Sequence, residues 1–245
     1  MTEPGEGRYN AESQTVCAER GSGAMEGKSR LRLVAFDMDG TLVDDEWAHT
    51  EANRLIAQEL GLTLEKEKPG FSVRAGWERR LAREGIRADV EAIVREHFRR
   101  TLELVEKARI PAAPGLDAAL DWLKAQGYIV ALVSSSDREF VRAMTDYLGV
   151  TDRMDLFVTA EQVRRLKPEP DLYLEALRQA GVPAARALGV EDSIPGCQAL
   201  HRAGIYAVGF LDRGGNPEKL EEADARVDTM DQLIPLLERL EREKG

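Results

Sequence analysis

The chain has 245 residues, 43% of them hydrophobic and 32% charged, which suits one sizeable folded unit with room for a smaller inserted one. A net charge of −10 argues against nucleic acid or an anionic membrane as the main partner. No apolar stretch approaches the roughly 20 residues of a membrane span, and the N-terminus has no apolar signal core, so a cytoplasmic, reducing setting is expected.

Residues 1–30, rich in Gly, Glu and Ser, are expected to form a disordered tail, and Met25 is a candidate native start within it. The two cysteines, Cys17 and Cys197, form no metal-ligand pair, and Cys197 lies on an apolar helix face as a small core residue. There is no internal repeat.

From Leu31 the texture changes. "LRLVAF" is a predicted strand, and "GTLVD" turns away from it. Three helical segments follow without a clear strand between them. "EWAHTEANRLIAQELGL" carries Trp47, Ala48, Ala52, Leu55, Ile56 and Leu60 on one stripe and stops at Gly61. "VRAGWERRLAREG" closes at Gly85, and "RADVEAIVREHFRRTLELVEKA" aligns Val90, Ile93, Val94, Phe98, Leu102 and Val105. "IPAAPG" then breaks the pattern as a linker. After it, helices and strands alternate through "YIVALV", "LFVTA", "ALGV" and "YAVGF". Such alternation predicts an α/β fold with a parallel sheet and helices on both faces. Residues 46–113 are then an inserted α-helical cap, and residues 31–45 with 114–245 are the α/β core. The cap should cover the C-terminal edge of the sheet, where open α/β sheets bind ligands.

Strand ends of such a sheet converge. The first ends in Asp37 and Asp39 and the second in Ser134 to Ser136; Lys167 follows the third, and Glu191, Asp192 and Ser193 end the fourth. Four carboxylates in one crevice repel one another unless a cation sits among them. All-oxygen donors suit Mg²⁺, which takes one or two carboxylates plus a substrate phosphate. Lys167 and Ser134 offer that phosphate a point charge and a hydroxyl, and the tight turn at Gly40 and Thr41 offers backbone N–H groups. Asp37 and Asp39, two apart on an extended chain, share a face and can reach one phosphorus centre.

These segments carry a resemblance. "DMDGT" resembles the first motif, D-x-D-x-[TV], of the haloacid dehalogenase-like superfamily. Ser134 matches its second motif, Lys167 in "KPEPDLY" its third, and "GVEDS" its fourth, in order, between Leu31 and about Phe210. The resemblance implies a Rossmann-like core and a Mg²⁺-dependent phosphatase acting on a small phosphate ester. It implies that Asp37 is the nucleophile, forming an aspartyl-phosphate, and that Asp39 is the general acid and base, with a raised pKa in at least one state. Metal ligands would be Asp37, the Asp39 carbonyl, Asp192 and Glu191, the last directly or through water. Thr41, Ser134, Ser135 and Lys167 would hold the phosphoryl group.

The inserted helices resemble the cap of the β-phosphoglucomutase-like and phosphoglycolate-phosphatase-like branch. "DDEWAH" is similar to its D-[ST]-E-x-x-H, with Asp45 and Trp47 as departures. His49 then contacts substrate or Asp39, or is an ordinary helix histidine. "GFSVR" resembles a loop that faces the active site, so Arg74 binds a remote anionic group or is a solvated arginine beside Arg79, Arg80 and Arg83. Trp47 and Trp77 should pack inside the cap, and Asp44, Asp45 and Asp137 should serve as turn or N-cap residues. A phosphomutase is the alternative, weakened because "VREHFRRTL" lacks that branch's cap lysine. A non-catalytic binding module is the third choice. Dehalogenase chemistry is disfavoured by Asp39 and the Glu191–Asp192 pair. A monomer is expected.

Overall fold

The computed structural model describes residues 30–62, 72–211 and 217–244. The tail through residue 29, with Cys17 and Met25, lies outside them, as do Gly70 and Phe71 of the expected cap loop.

Six parallel strands form one sheet: β1 (Leu33–Phe36), β2 (Ile129–Val133), β3 (Leu156–Val158), β4 (Ala187–Glu191), β5 (Tyr206–Phe210) and β6 (Ala225–Val227). Their order is β3-β2-β1-β4-β5-β6. The fold is the expected Rossmann-like α/β arrangement. β1 lies at the centre, and every residue of its LVAF is buried, as a strand covered on both faces requires. Its side chains alternate. Val34 and Phe36 enter one apolar cluster, while Leu33 and Ala35 enter the other. The order reverses direction between β1 and β4, so the crevice opens at their carboxyl ends.

Among the described residues, three helices follow β1 within the expected insertion: α1 (Glu46–Glu59), α2 (Val73–Glu84) and α3 (Val90–Ala108). Ser72 caps α2 by accepting the Ala75 N–H, and Gly85 ends it with φ 68°. Asp89 caps α3 through Ala92 N–H. Ile56, Trp77, Leu81 and Ile93 pack these helices together. Ala48, Val94, Phe98 and Val105 instead join the cluster of the sheet. The inserted helices therefore share apolar packing with the core as well as having their own.

The remaining helices are α4 (Leu116–Ala125), α5 (Arg138–Tyr147), α6 (Asp171–Ala180), α7 (Ile194–Arg202) and α8 (Leu233–Lys244). α6 and α7 cover one face of the sheet. β6 and α8 had no counterpart among the predicted elements: "ARV" is too short for a periodic signal, whereas Leu233, Leu236, Leu237 and Leu240 of α8 carry a helical period that went unread.

Two side chains of the inserted helices depart from the sequence expectation. Trp47 is 39% exposed, its indole N–H donating to the Asp44 carbonyl. Arg80 is buried, its guanidinium 4.4 Å from the centre of the Trp77 ring. Stacking lets the guanidinium enter an apolar helix interface that its charge alone would forbid. Trp77 packs inside as expected. No helix among the described residues is long and apolar enough to cross a membrane.

Candidate active site

The registers bring the strand ends level. Phe36 pairs with Leu132 on one side and Val190 on the other. Asp37 and Glu191 come next along the chain and Ser134 one residue further on, just past β2, so the three meet at one edge, and Asp37 N–H donates to the Val190 carbonyl at 3.0 Å.

Lys167 points into this edge. Its ammonium pairs with Asp37, donates to the Val133 carbonyl at 3.0 Å and lies 2.7 Å from Glu191 Oε1. Tyr173, on α6, donates its hydroxyl to the same Glu191 oxygen at 2.5 Å, and Ser193 donates to the other at 3.3 Å. Burial and the charge of Glu191 push the Asp37 carboxyl well above its usual range, against the pull of Lys167. Burial works to lower Lys167, but Asp37 and Glu191 outweigh it and keep the ammonium charged.

Asp37, Glu191 and Asp192 offer oxygens that all lie within 4.8 Å of one another. The turn after β1 brings Gly40, at φ 78°, against the Asp192 carboxylate. The donors are all oxygen and carry excess negative charge, so a hard divalent cation such as Mg²⁺ fits them.

Asp39 is held by a different set of partners. Its Oδ2 accepts from Ser136 Oγ at 3.0 Å and from Ser134 Oγ at 3.3 Å, while Ser134 Oγ accepts the Ser136 N–H at 2.9 Å. Its Oδ1 lies 3.5 Å from His49 Nε2. Burial works to raise the Asp39 pKa, but the hydrogen bond and charge of His49 carry it below the ordinary value. The cause of this lowering is an imidazole delivered by α1.

Other expected contacts change. Thr41 is buried, but its N–H donates to the Met38 carbonyl at 3.1 Å, and Gly40 N–H donates to the Val43 carbonyl at 2.8 Å. The turn is too tight to leave either amide for a phosphate. Of the three serines, Ser134 and Ser136 hold Asp39, whereas Ser135 lines a cavity of about 300 Å³ between the inserted helices and the core. Arg74 lines that cavity too, and its guanidinium forms a two-pronged pair with Glu91, 2.7 Å in one arm.

Sequence reasoning missed two polar groups. Asp45, read as a turn or cap residue, is fully buried, makes no side-chain cap bond, and lies 3.5 Å from His49 Nε2. Burial and the charge of Asp39 raise it to about 7. His97, on α3, is also fully buried, with its Nε2 2.8 Å from His49 Nδ1. Its place four residues after Ile93 and four before Thr101, both buried, was the available signal. Burial works to lower the His49 pKa, but Asp39 and Asp45 raise it to about 10. Cys197 is a buried core residue, as expected.

Residues 31–204 match the haloacid dehalogenase-like hydrolase family. The chain belongs to that family. Relatives of this haloacid dehalogenase-like hydrolase include hexitol phosphatase A of Escherichia coli, 32% identical over 83% of this chain and 94% of the relative. A phosphoglycolate phosphatase of Pseudomonas fluorescens is 28% identical over 83% of this chain and 79% of its own length. Among solved structures, a β-phosphoglucomutase from Clostridium difficile superposes with a TM-score of 0.73 at 23% identity, covering 87% of this chain and 98% of that one. At that identity the likeness concerns the fold alone.

Proposed function

We propose that this hydrolase is a Mg²⁺-dependent phosphatase that cleaves a small phosphorylated metabolite, such as a sugar or sugar-alcohol phosphate, through an aspartyl-phosphate on Asp37. The observation that carries the reading is Lys167, a buried ammonium held between Asp37 and Glu191 at the edge where Asp192 also converges. Similarity to phosphatases of phosphorylated small molecules supports it.

Asp37 attacks phosphorus in line with the leaving oxygen. Lys167 lies beside the attacking carboxylate and offsets charge on the phosphoryl oxygens. Asp39 gives a proton to the departing alcohol, then takes one from the water that attacks the aspartyl-phosphate. Inorganic phosphate leaves and Asp37 is restored. His49 Nε2, 3.5 Å from Asp39 Oδ1 and 3.5 Å from Asp45 Oδ2, stands beside this exchange. Asp37, Asp192 and the Asp39 carbonyl would hold Mg²⁺, with Glu191 outside them because its oxygens serve Lys167, Tyr173 and Ser193. The cation, when bound, neutralises the transferring phosphoryl group so that an anion can attack it.

The cavity beside Ser135 would receive the leaving group. Phe98 and Val94 give it an apolar wall, and Arg74, Asp137 and Glu161 give it polar positions. Residues 46–113 act as a cap that closes over it, against a core of residues 31–45 and 114–245. The protein works as a cytoplasmic monomer.

The deciding experiment is a panel of phosphate esters assayed with Mg²⁺ and with EDTA, alongside Asp37→Asn. Turnover should vanish with the chelator and with the substitution. Full activity in the Asn variant refutes the covalent route. Conversion of a β-hexose 1-phosphate, given with its bisphosphate, into the 6-phosphate would favour the mutase reading.

A further inference from the structure

His97 occupies a place the proposed reaction does not use. It lies on α3, in the inserted helices, fully buried, and its Nε2 meets His49 Nδ1 at 2.8 Å. The other His49 nitrogen lies 3.5 Å from Asp39 Oδ1 and 3.5 Å from Asp45 Oδ2. Neither His97 Nδ1 nor His49 Nε2 has a hydrogen-bond partner, so the hydrogen bond here is the one that joins the two rings. The walls around His49 are aromatic. Phe98 and Phe140 present edge-on rings at 6.2 and 5.5 Å, and neither can replace a lost partner at Nδ1.

We infer that His97 is a positioning residue: it fixes the ring orientation and proton placement of His49, so that Nε2–H faces Asp39. The inference rests on the assignment of Asp39 as acid and base. Burial, the charge of His49 and the charge of Arg80 hold His97 neutral, against a weaker opposing pull from Asp39. His49 Nε2 faces the carboxylates of Asp39 and Asp45, which accept when ionised, so a proton on Nε2 is the one that has acceptors. Nδ1 then accepts from His97 Nε2–H, which keeps the His97 proton on the nitrogen that has a partner. Without His97, Nδ1 is buried and unpaired, and the ring is free to turn or to change tautomer. Because His97 belongs to α3 and Asp39 follows β1, the pair ties the acid–base group to the placement of the inserted helices.

The test compares His97→Leu, which fills the space without the bond, with His97→Gln, whose amide can still reach Nδ1. With Mg²⁺ and the best ester of the panel, His97→Leu should lower kcat by at least roughly 10-fold, part of the 10²–10⁴ that an acid–base group supplies. KM should change less than about threefold, and His97→Gln should restore most of kcat. In an Asp39→Asn background, His97→Leu should cost nothing further. Independently of turnover, ¹⁵N spectra of the imidazole nitrogens, with only three histidines to assign, should show His49 shifts that move in His97→Leu and return in His97→Gln. Unmoved His49 shifts in the Leu variant overturn the inference. So does a loss of kcat that the Gln variant fails to rescue and that persists undiminished on Asp39→Asn. A wild-type protein inert toward every ester sinks the phosphatase reading instead, and the nitrogen shifts still judge His97.

Discussion

The carboxylate of Asp192 fills the place where a Cβ on Gly40 would stand. Gly40 also holds φ 78°, a left-handed conformation that costs an L-residue about 1–2 kcal/mol. One glycine thus lets the loop after β1 pass close to the loop after β4. Gly40→Ala should leave the fold intact by circular dichroism while weakening Mg²⁺ binding and turnover at least tenfold, measured by calorimetry and assay. Wild-type metal affinity in that variant would show that Asp192 needs no such approach.

Lys167 lies between two buried carboxylates, Asp37 and Glu191. Lys167→Met keeps the stem and deletes the charge, stranding both acids. Urea unfolding of the metal-free protein should report a loss of about 3–5 kcal/mol, with turnover abolished. Adding Asp37→Asn should recover part of that stability, because one stranded charge is gone. A double variant no more stable than Lys167→Met would contradict the pairing.

His49 is raised to about 10 from an ordinary 6.5, by Asp39 and Asp45 against the opposing effect of burial. The folded state holds the proton more tightly than the unfolded chain. Its contribution to stability is therefore complete below pH 6.5 and is lost as pH rises toward 10. Asp45, raised from 3.8 to about 7, binds more proton in the fold across that interval, so stability also declines as pH rises from about 4 to 7. Denaturation in EDTA between pH 4 and 10 should show both declines. His49→Gln should flatten the alkaline one and Asp45→Asn the acidic one.

Phe98 on α3 stacks on Phe140 of α5 with ring centres 4.7 Å apart. This contact joins the inserted helices to the sheet unit, and Phe98 also lines the cavity. Phe98→Ala should lower stability by about 3–5 kcal/mol and raise KM more than it lowers kcat. A KM unchanged across the ester panel would remove Phe98 from the substrate pocket.

Much of the candidate site was legible because parallel strands of similar length end together. Once β1, β2 and β4 are recognised from continuous apolar runs, Asp37, Ser134 and Glu191 must fall at one edge. Lys167 was legible only as part of that set, since a lysine alone defaults to solvent. Local pattern failed where one residue type serves two ends. Asp45 stands before α1 and reads as a cap, yet it is buried against His49. Arg80 stands among exposed arginines and is withdrawn by a tryptophan three residues earlier. Trp47 reads as apolar packing and stays in solvent.

By itself the sequence determined the alternation of strand and helix, the place of the three inserted helices and the acids and lysine at the strand ends, because these follow from periodicity and chain order. Only the tertiary structure decided which donors meet which acceptors: that the amides of Gly40 and Thr41 are spent within their own turn, that Ser136 rather than Ser135 supports Asp39, and that His97 reaches His49 from another helix. Such contacts depend on distances of a few tenths of an ångström between segments far apart in the chain, and no local pattern of residue types encodes them.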